Sequence, residues 1–448
     1  MTPAQDSTAT HAITHRAVLG IAVPMMFAYL STALVGAVST AAIGRLGIAD
    51  LSAGIAIAAI LFDILFVSLN FLRSTTLGLT AIALGAGRVD AAREILQRAL
   101  LLSLGLGLII LALRGVEARI GPQLLGAQGA VLLAARSYSL IRVLSAPFAL
   151  GNYTILGTLL GRGQAGAGLV LQLLLNGINI LVCIVTVLFL HWGVQGAAWA
   201  AVAGEAAAFL AGIFWLRRTG GPLLTNLRAS LSDGKSWRAM AVLNRDTLIR
   251  TLALLFAFAF FTRQGAGLGA AILAANAIHM QFFALASNCL DGFAAAAEQL
   301  AGRMIGAGNI SGFARAVRLT FGWSLCSGAA ITLLYLAFGH DFIALLSVAP
   351  AVRQAAGFSL FWAALVPLIA APAFQLDGVF VGATWSRDMR NMMLLSLLIF
   401  AFCWAILMPV AGNTGLWLAF LAFLGARGVT LGLRLRARRR GGRVLAEL

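Results

Sequence analysis

The apolar positions of this chain run on rather than alternate. Twelve stretches, at 17–43, 51–83, 99–116, 129–160, 165–190, 194–216, 247–268, 271–302, 317–339, 352–384, 391–410 and 414–433, are mostly aliphatic and carry few charges. About 20 such residues, wound as a helix, cross the ~30 Å hydrocarbon core of a bilayer. Barrel strands would alternate apolar and polar positions instead. The pattern predicts an all-α integral membrane protein of twelve transmembrane helices. Several runs are longer than a perpendicular crossing needs, so tilt or extension beyond the membrane is expected.

The polar positions between the runs predict the orientation. Arg88, Arg93 and Arg98, then Arg162, then the stretch from Arg217 to Arg245, then Arg303, Arg315 and Arg318, then Arg387 and Arg390 all fall on one side. The tail from Arg434 to Arg443 joins them, while the other side has sparse charge such as Arg45, His191 and His340. Cytoplasmic connections are the arginine-rich ones, so both termini and the 217–246 loop are expected in the cytoplasm. The expected division is a six-helix lobe over 1–216, a linker loop over 217–246, a second six-helix lobe over 247–433 and a basic tail over 434–448.

The two halves resemble each other. Gly85-Ala86-Gly87 matches Gly306-Ala307-Gly308, each ending a long run before an arginine-bearing segment, and the stretch from Pro147 to Gly157 matches that from Pro372 to Gly382. Six spans per half is an even number, so both halves insert the same way up, and the repeat is a parallel pseudo-two-fold. Two parallel bundles with a seam between them suit alternating access.

Composition sharpens this. The chain is 61% hydrophobic and 10% charged, with a mean hydropathy of +0.95, where soluble domains carry about 25% charged residues. The net charge of +17 lies in short loops and the tail rather than in a basic, aromatic-interleaved domain, so no nucleic-acid partner is expected. Cys183, Cys289, Cys326 and Cys403 lie in apolar runs without CxxC spacing and read as small buried side chains. The first 16 residues show no cleavable signal pattern, so the first run is expected to be retained. No HExxH, GxSxG or Walker loop is present, which argues against an enzyme; no cofactor or metal is expected.

Ionisable groups in hydrocarbon are costly, at least about 2.5–3.5 kcal/mol each, and need a reason to be there. Asp63, Glu205, Asp291, Glu298 and Asp377 fall inside the runs, with Arg73 and Arg250 as cations. Asp291 and Glu298 are seven residues apart and so share one helix face two turns apart. Asp377 follows Pro372, where a kink frees backbone carbonyls. A carboxylate in a low dielectric can load and release a proton near neutral pH, which gives Asp377 above all, and Asp291 and Glu298 with it, an ion-coupling role to set against a helix-packing one; Asp63 and Glu205 read as packing groups. Asn70 corresponds to Asp291 and Asn152 to Asp377, so the first half has amides where the second has acids. Asn176 and Asn179 share a helix face and either line a cavity or join helices. His279, the lone intramembrane histidine, reads as a packing residue.

Several segments together carry a family resemblance: Phe71-Leu72-Arg73 through Gly78-Leu79-Thr80-Ala81, Asn244-Arg245-Asp246 with Ile249-Arg250-Thr251, Leu290-Asp291-Gly292-Phe293-Ala294 to Glu298, Leu376-Asp377-Gly378 with Phe380-Val381-Gly382-Ala383-Thr384, and Asp388-Met389-Arg390-Asn391. Over nearly its whole length the chain resembles the multidrug and toxic compound extrusion (MATE) family, in its DinF-like branch. The resemblance implies two six-helix lobes, a central cavity for amphipathic and often cationic organic compounds, and export driven by entry of protons or sodium. It also shows departures. Where the family has an acid in the first helix the chain reads Val38-Ser39-Thr40, and where the fifth helix ends in an acid Asn179-Ile180-Leu181-Val182 is followed by Cys183. Neither side chain carries a proton at neutral pH as a carboxylate does, so coupling has either moved to the second lobe or been lost. The expected cavity residues are Asn70, Asn152, Asn176, Asn179, Gln375, Arg250, Ser39 and Cys183; the expected function is proton-coupled antiport by a monomer in the lipid bilayer, with sodium as the other possible ion. A flippase of lipid-linked precursors would want a broad basic cavity, and a membrane-embedded enzyme a nucleophile or metal constellation.

Overall fold

The computed structural model describes residues 13–45, 48–220, 231–442 and 444–445. The ends of the chain and the middle of the expected 217–246 linker lie outside them. Fourteen α-helices are described: α1 His15–Gly44, α2 Ala49–Leu69, α3 Phe71–Gly85, α4 Val89–Ala112, α5 Arg114–Leu124, α6 Gly129–Arg142, α7 Ala146–Gly161, α8 Ala165–Cys183, α9 Gly193–Gly220, α10 Gly234–Gly267, α11 Ala270–Gly306, α12 Ile310–Leu346, α13 Pro350–Gly382 and α14 Ser386–Arg440. Among the described residues eleven helical segments are long and apolar enough to cross a membrane.

The last of these accounts for the twelfth crossing. Helix α14 has 55 residues and breaks at Gly412, whose φ of 54° and ψ of −127° are non-helical. A Cβ on Gly415 would stand 2.1 Å from the carbonyl oxygen of Leu407, eight residues away and about 12 Å distant had the helix run straight. The chain therefore doubles back there, and the runs expected at 391–410 and 414–433 flank the break. Other boundaries move. The second crossing is two helices, α2 and α3, meeting at Asn70, and the fourth is α6 and α7 joined by a 3₁₀ turn at Val143–Ser145. Helix α10 starts at Gly234, its first turn capped by Asp233, which accepts from the backbone N–H of Ser236 at 3.2 Å. Helices thus enter the 217–246 stretch from both sides. Helix α5 is too short to span.

Each lobe has its own apolar core. In the first, Phe62, Phe66 and Phe71 pack with Leu72, Val143 and Leu150; in the second, Phe261, Phe400, Phe420, Phe423 and Trp417 pack with Ala364 and Val366. A third cluster crosses the seam, where Ala22 and Met25 of α1 meet Phe293 and Ala296 of α11.

The repeat appears in the packing itself. A Cβ on Gly85 would meet the carbonyl oxygen of Arg303 at 2.1 Å, and one on Gly306 would meet that of Ile82 at 2.0 Å. Gly85 and Gly306 are 221 residues apart (306 − 85), as are Ile82 and Arg303 (303 − 82). The two contacts are one contact repeated about the pseudo-two-fold, at the arginine-rich end of the seam. Only glycine lets two helix backbones approach so closely. Both helices then end alike, on Gly87 at φ 71° and Gly308 at φ 65°, the left-handed C-terminal cap that glycine supplies without strain.

Candidate functional site

The acids expected inside the membrane, Asp63, Glu205, Asp291, Glu298 and Asp377, gather with nearby arginines into two clusters. The larger one lies at the seam and in the second lobe. Asn70, at the α2–α3 break, accepts from Arg73 Nε at 3.2 Å. Arg73 then reaches across the seam, its Nη1 3.2 Å from Glu298 Oε2 on α11, with both side chains largely buried at 13% and 6% exposure. Among the described residues this is the one ion pair joining a first-lobe span to a second-lobe span. Asp291 and Tyr29 of α1 lie within electrostatic range of the same pair. Two turns of α11 separate Asp291 from Glu298, as their spacing requires. Asp291 is half-buried and, among the described residues, has no hydrogen-bond or ion-pair partner.

Asp377 of α13 is placed differently. Its Oδ2 accepts from Arg250 Nη2 of α10 at 2.5 Å and from Arg427 Nη2 of α14 at 2.6 Å. Arg427 also lies over the rings of Phe374 and Phe423, at 6.0 and 5.7 Å. Two guanidiniums on one carboxylate make a tie between three helices. Arg427 balances Asp377 in the middle of a predicted span, and the charge itself was visible there; what the run did not show was that α14 turns it towards α13.

The first lobe holds a second cluster. Asn152 of α7 donates from Nδ2 to Glu205 Oε2 of α9 at 2.7 Å and to the Glu205 carbonyl at 2.9 Å. Arg142 of α6 stands 3.9 Å from Glu205 Oε1, donates to Ser145 Oγ, and lies 5.1 and 5.8 Å over the rings of Phe66 and Phe62. Asp63 is in electrostatic range of Arg142. Arg142 too sits inside a predicted span.

The remaining expected site residues separate. Asn176 donates to Ser31 Oγ of α1 at 2.7 Å and to Thr32 Oγ1 at 3.3 Å, tying α8 to α1; Asn179 is buried where α8 meets Gly204 of α9. Cys183 and Ser39 are neighbours, sulfur to oxygen 3.9 Å, and α8 passes directly after Cys183 into a π-helical turn, Ile184–Phe189, a feature frequent at functional sites. Gln375 is fully buried and donates to Thr320 Oγ1 of α12 at 2.8 Å, so its amide is spent inside the second lobe rather than at the seam. His279 is held by Tyr335 Oη at 2.6 Å and by the carbonyl of Ala356 at 3.0 Å, against Trp417, within the second-lobe core. No group of three or more His, Cys, Asp or Glu side chains fit to hold a metal occurs among the described residues.

Outside the spans, the short helix α5 packs its Glu117 against α6. Both carboxyl oxygens are shut off from water, and burial, only partly offset by the Ser139 hydroxyl, pushes the group from 4.5 up to about 7. A raised folded-state value means the protonated form is favoured by the fold. The α5–α6 contact is therefore at full strength below pH 4.5 and loses strength as pH rises through about 7. Amide hydrogen exchange in α5, corrected for intrinsic rates, is expected to quicken over that window, and Glu117→Gln is expected to abolish the pH dependence. Equal protection across the window would show that the carboxyl is solvated.

The comparisons agree with this architecture. DNA damage-inducible protein F of Escherichia coli (strain K12) is 36% identical over 434 residues, covering 95% of this chain and 93% of its own. Solved structures share the fold at lower identity. A multidrug resistance MATE family transporter of the MOP superfamily, in an outward-facing conformation, superposes with a TM-score of 0.87 at 18% identity, covering 95% of both chains. A variant of the Vibrio cholerae MATE transporter VcmN gives 0.88 at 20% identity, covering 97% of this chain and 98% of that one. The MatE family model matches residues 24–185 and 247–406, one block in each lobe. The family model, matched once in each lobe, and the relative 36% identical over 95% of the chain show that this multi-pass chain belongs to the MatE family, whose members are transporters and not enzymes.

Proposed function

We propose that the chain exports amphipathic, cationic organic compounds by antiport, with protons as the coupling ion, and that Asp291 and Glu298 carry the proton. The observation that supports this most is the contrast between the acids of the seam cluster. Protonating Asp377 would forfeit contacts to two guanidiniums at once, so Asp377 serves to hold Arg250 and Arg427. Asp291 is unpaired and is the port of entry. Glu298, two turns along the same face, holds the ion pair that crosses the seam.

The geometry supports a sequence of events. With Glu298 ionised, Arg73 joins the lobes at the arginine-rich end, which the loop charges place in the cytoplasm, and that end is closed. A proton taken by Asp291 from the far side and passed to Glu298 removes the charge that holds Arg73 at that end. The closed end loses its tie and can open. Loss of the proton to the cytoplasm leaves carboxylates that attract a cationic substrate. One charge moving through 100 mV contributes about 2.3 kcal/mol to such a cycle. Asn70 positions Arg73, and Asn152, Asn176 and Asn179, with Ser39 and Cys183, supply the neutral polar groups of the first lobe. Both termini cytoplasmic, an inner-membrane location and a monomer complete the reading. Arg73, Arg142, Arg250 and Arg427 each face a carboxylate, so among the described residues the span cations offer no broad basic surface for a lipid-linked phosphate.

The test is substrate-driven pH change in proteoliposomes, with and without sodium. Proton release on substrate addition, independent of sodium, is expected. Release that requires sodium would make sodium the coupling ion, and none under either condition would remove the antiport reading.

A further inference from the structure

The repeat that aligns the two lobes also aligns their polar contacts. Asn152 and Asp377 are 225 residues apart (377 − 152), and Glu205 and Arg427 are 222 apart (427 − 205). The first-lobe bond between Asn152 and Glu205 and the second-lobe bond between Asp377 and Arg427 join corresponding helices, their offsets differing by three residues, about one helical turn. The chemistry has been exchanged. In the second lobe an acid meets a permanent cation; in the first an amide meets an acid.

The exchange changes what the contact can do. A guanidinium only donates, so it favours the ionised carboxylate and offers nothing to the O–H of a protonated one. An amide both donates and accepts, so it can satisfy a carboxylate through Nδ2 or a protonated carboxyl through Oδ1. Asn152 now uses Nδ2 on Glu205, and its Oδ1 takes no donor among the described residues. The cation that could fix Glu205 is held back: Arg142 is engaged with Ser145 and the faces of Phe62 and Phe66, and comes no nearer than 3.9 Å. Asp63 competes for the same guanidinium. Two acids share one base, leaving one negative charge for a cation to neutralise.

Other groups do not close that gap. Tyr138 of α6 and Tyr153 of α7 face the cluster, with Arg73 lying beyond Tyr153. Helix α8 carries no charged residue, its terminal Cys183 pairing with Ser39. On α1 the charged residues lie at the ends, and Tyr29 serves the seam cluster.

We propose that Glu205 is a second proton-exchanging carboxylate, in the first lobe, with Asn152 as the positioning residue that accommodates both of its protonation states. This rests on the proton-coupled reading of the seam cluster, and the experiment separates the two. In proteoliposomes, wild-type chain is expected to release protons on substrate addition, Glu205→Gln to release about half as many per substrate, and Glu205→Asp to restore the wild-type count. Wild-type chain that releases none would overturn the coupling reading as a whole. Wild-type release with an unchanged count in folded Glu205→Gln would overturn this proposal alone, making Glu205 a packing group. Where Glu205→Gln does not fold, the wild-type chain is treated with dicyclohexylcarbodiimide, an apolar reagent that adds to protonated carboxyls. Mass spectrometry is expected to find the adduct on Glu205, diminishing as pH rises; no adduct on Glu205 at any pH would overturn the assignment.

Discussion

Glu298→Gln is expected to open the arginine-rich end of the seam. Glutamine has the shape of the protonated acid and lacks its charge, so it imitates the state in which Arg73 is released. A hydrogen bond to a charged group contributes about 1.5–3 kcal/mol, and losing it shifts the closed-to-open ratio by roughly ten- to a hundredfold. The glycine contacts of Gly85 and Gly306 remain, so the shift is one of population rather than collapse. Spin labels at Arg88→Cys and Ser311→Cys, both exposed at that end of the molecule, with the native cysteines replaced, report the distance between lobes. The variant is expected to populate a longer distance at a pH where the parent shows the short one. Identical distance distributions would show that the Arg73–Glu298 pair does not hold the lobes together.

Asp377→Asn is expected to act on stability before it acts on transport. The substitution leaves Arg250 and Arg427, 18% and 3% exposed, without the carboxylate between them. Removing one partner of a buried pair costs about 3–5 kcal/mol, and here two cations lose the same partner, softened by cation–π contacts. In detergent a fall in Tm of about 5–10 °C is expected, and it is expected to shrink when Arg427→Met is added, because the most buried cation is then gone. A variant as stable as wild type that loses only gradient-driven export would return the coupling role to Asp377.

Much of the fold was legible in the sequence because hydrocarbon imposes it. A continuous apolar run in lipid has to be a helix, and that alone yields twelve crossings and their order. The Gly85 and Gly306 motifs were legible as a repeat because close backbone approach admits no other residue. The charges were harder. Arg142 and Arg427 stood in plain view inside predicted spans, yet hydropathy does not say towards which neighbour a helix turns each side chain. The pairing of Asp377 with two arginines, the bond from Asn152 to Glu205 and the turning of Gln375 towards α12 are facts of interhelical packing. Asp291 and Glu298 were placed on one face by spacing alone, but that just one of them is paired across the seam needed the position of Arg73.

The central claim is that the proton enters at Asp291 and is coupled through Glu298 to the seam. The most direct measurement is the pH dependence of substrate export in proteoliposomes by Asp291→Asn, at matched protein and with substrate binding measured in parallel. The account requires binding to persist while substrate-driven proton release falls to about half or less and export no longer responds to an imposed pH gradient. Proton release and gradient response at wild-type levels in this variant would contradict it.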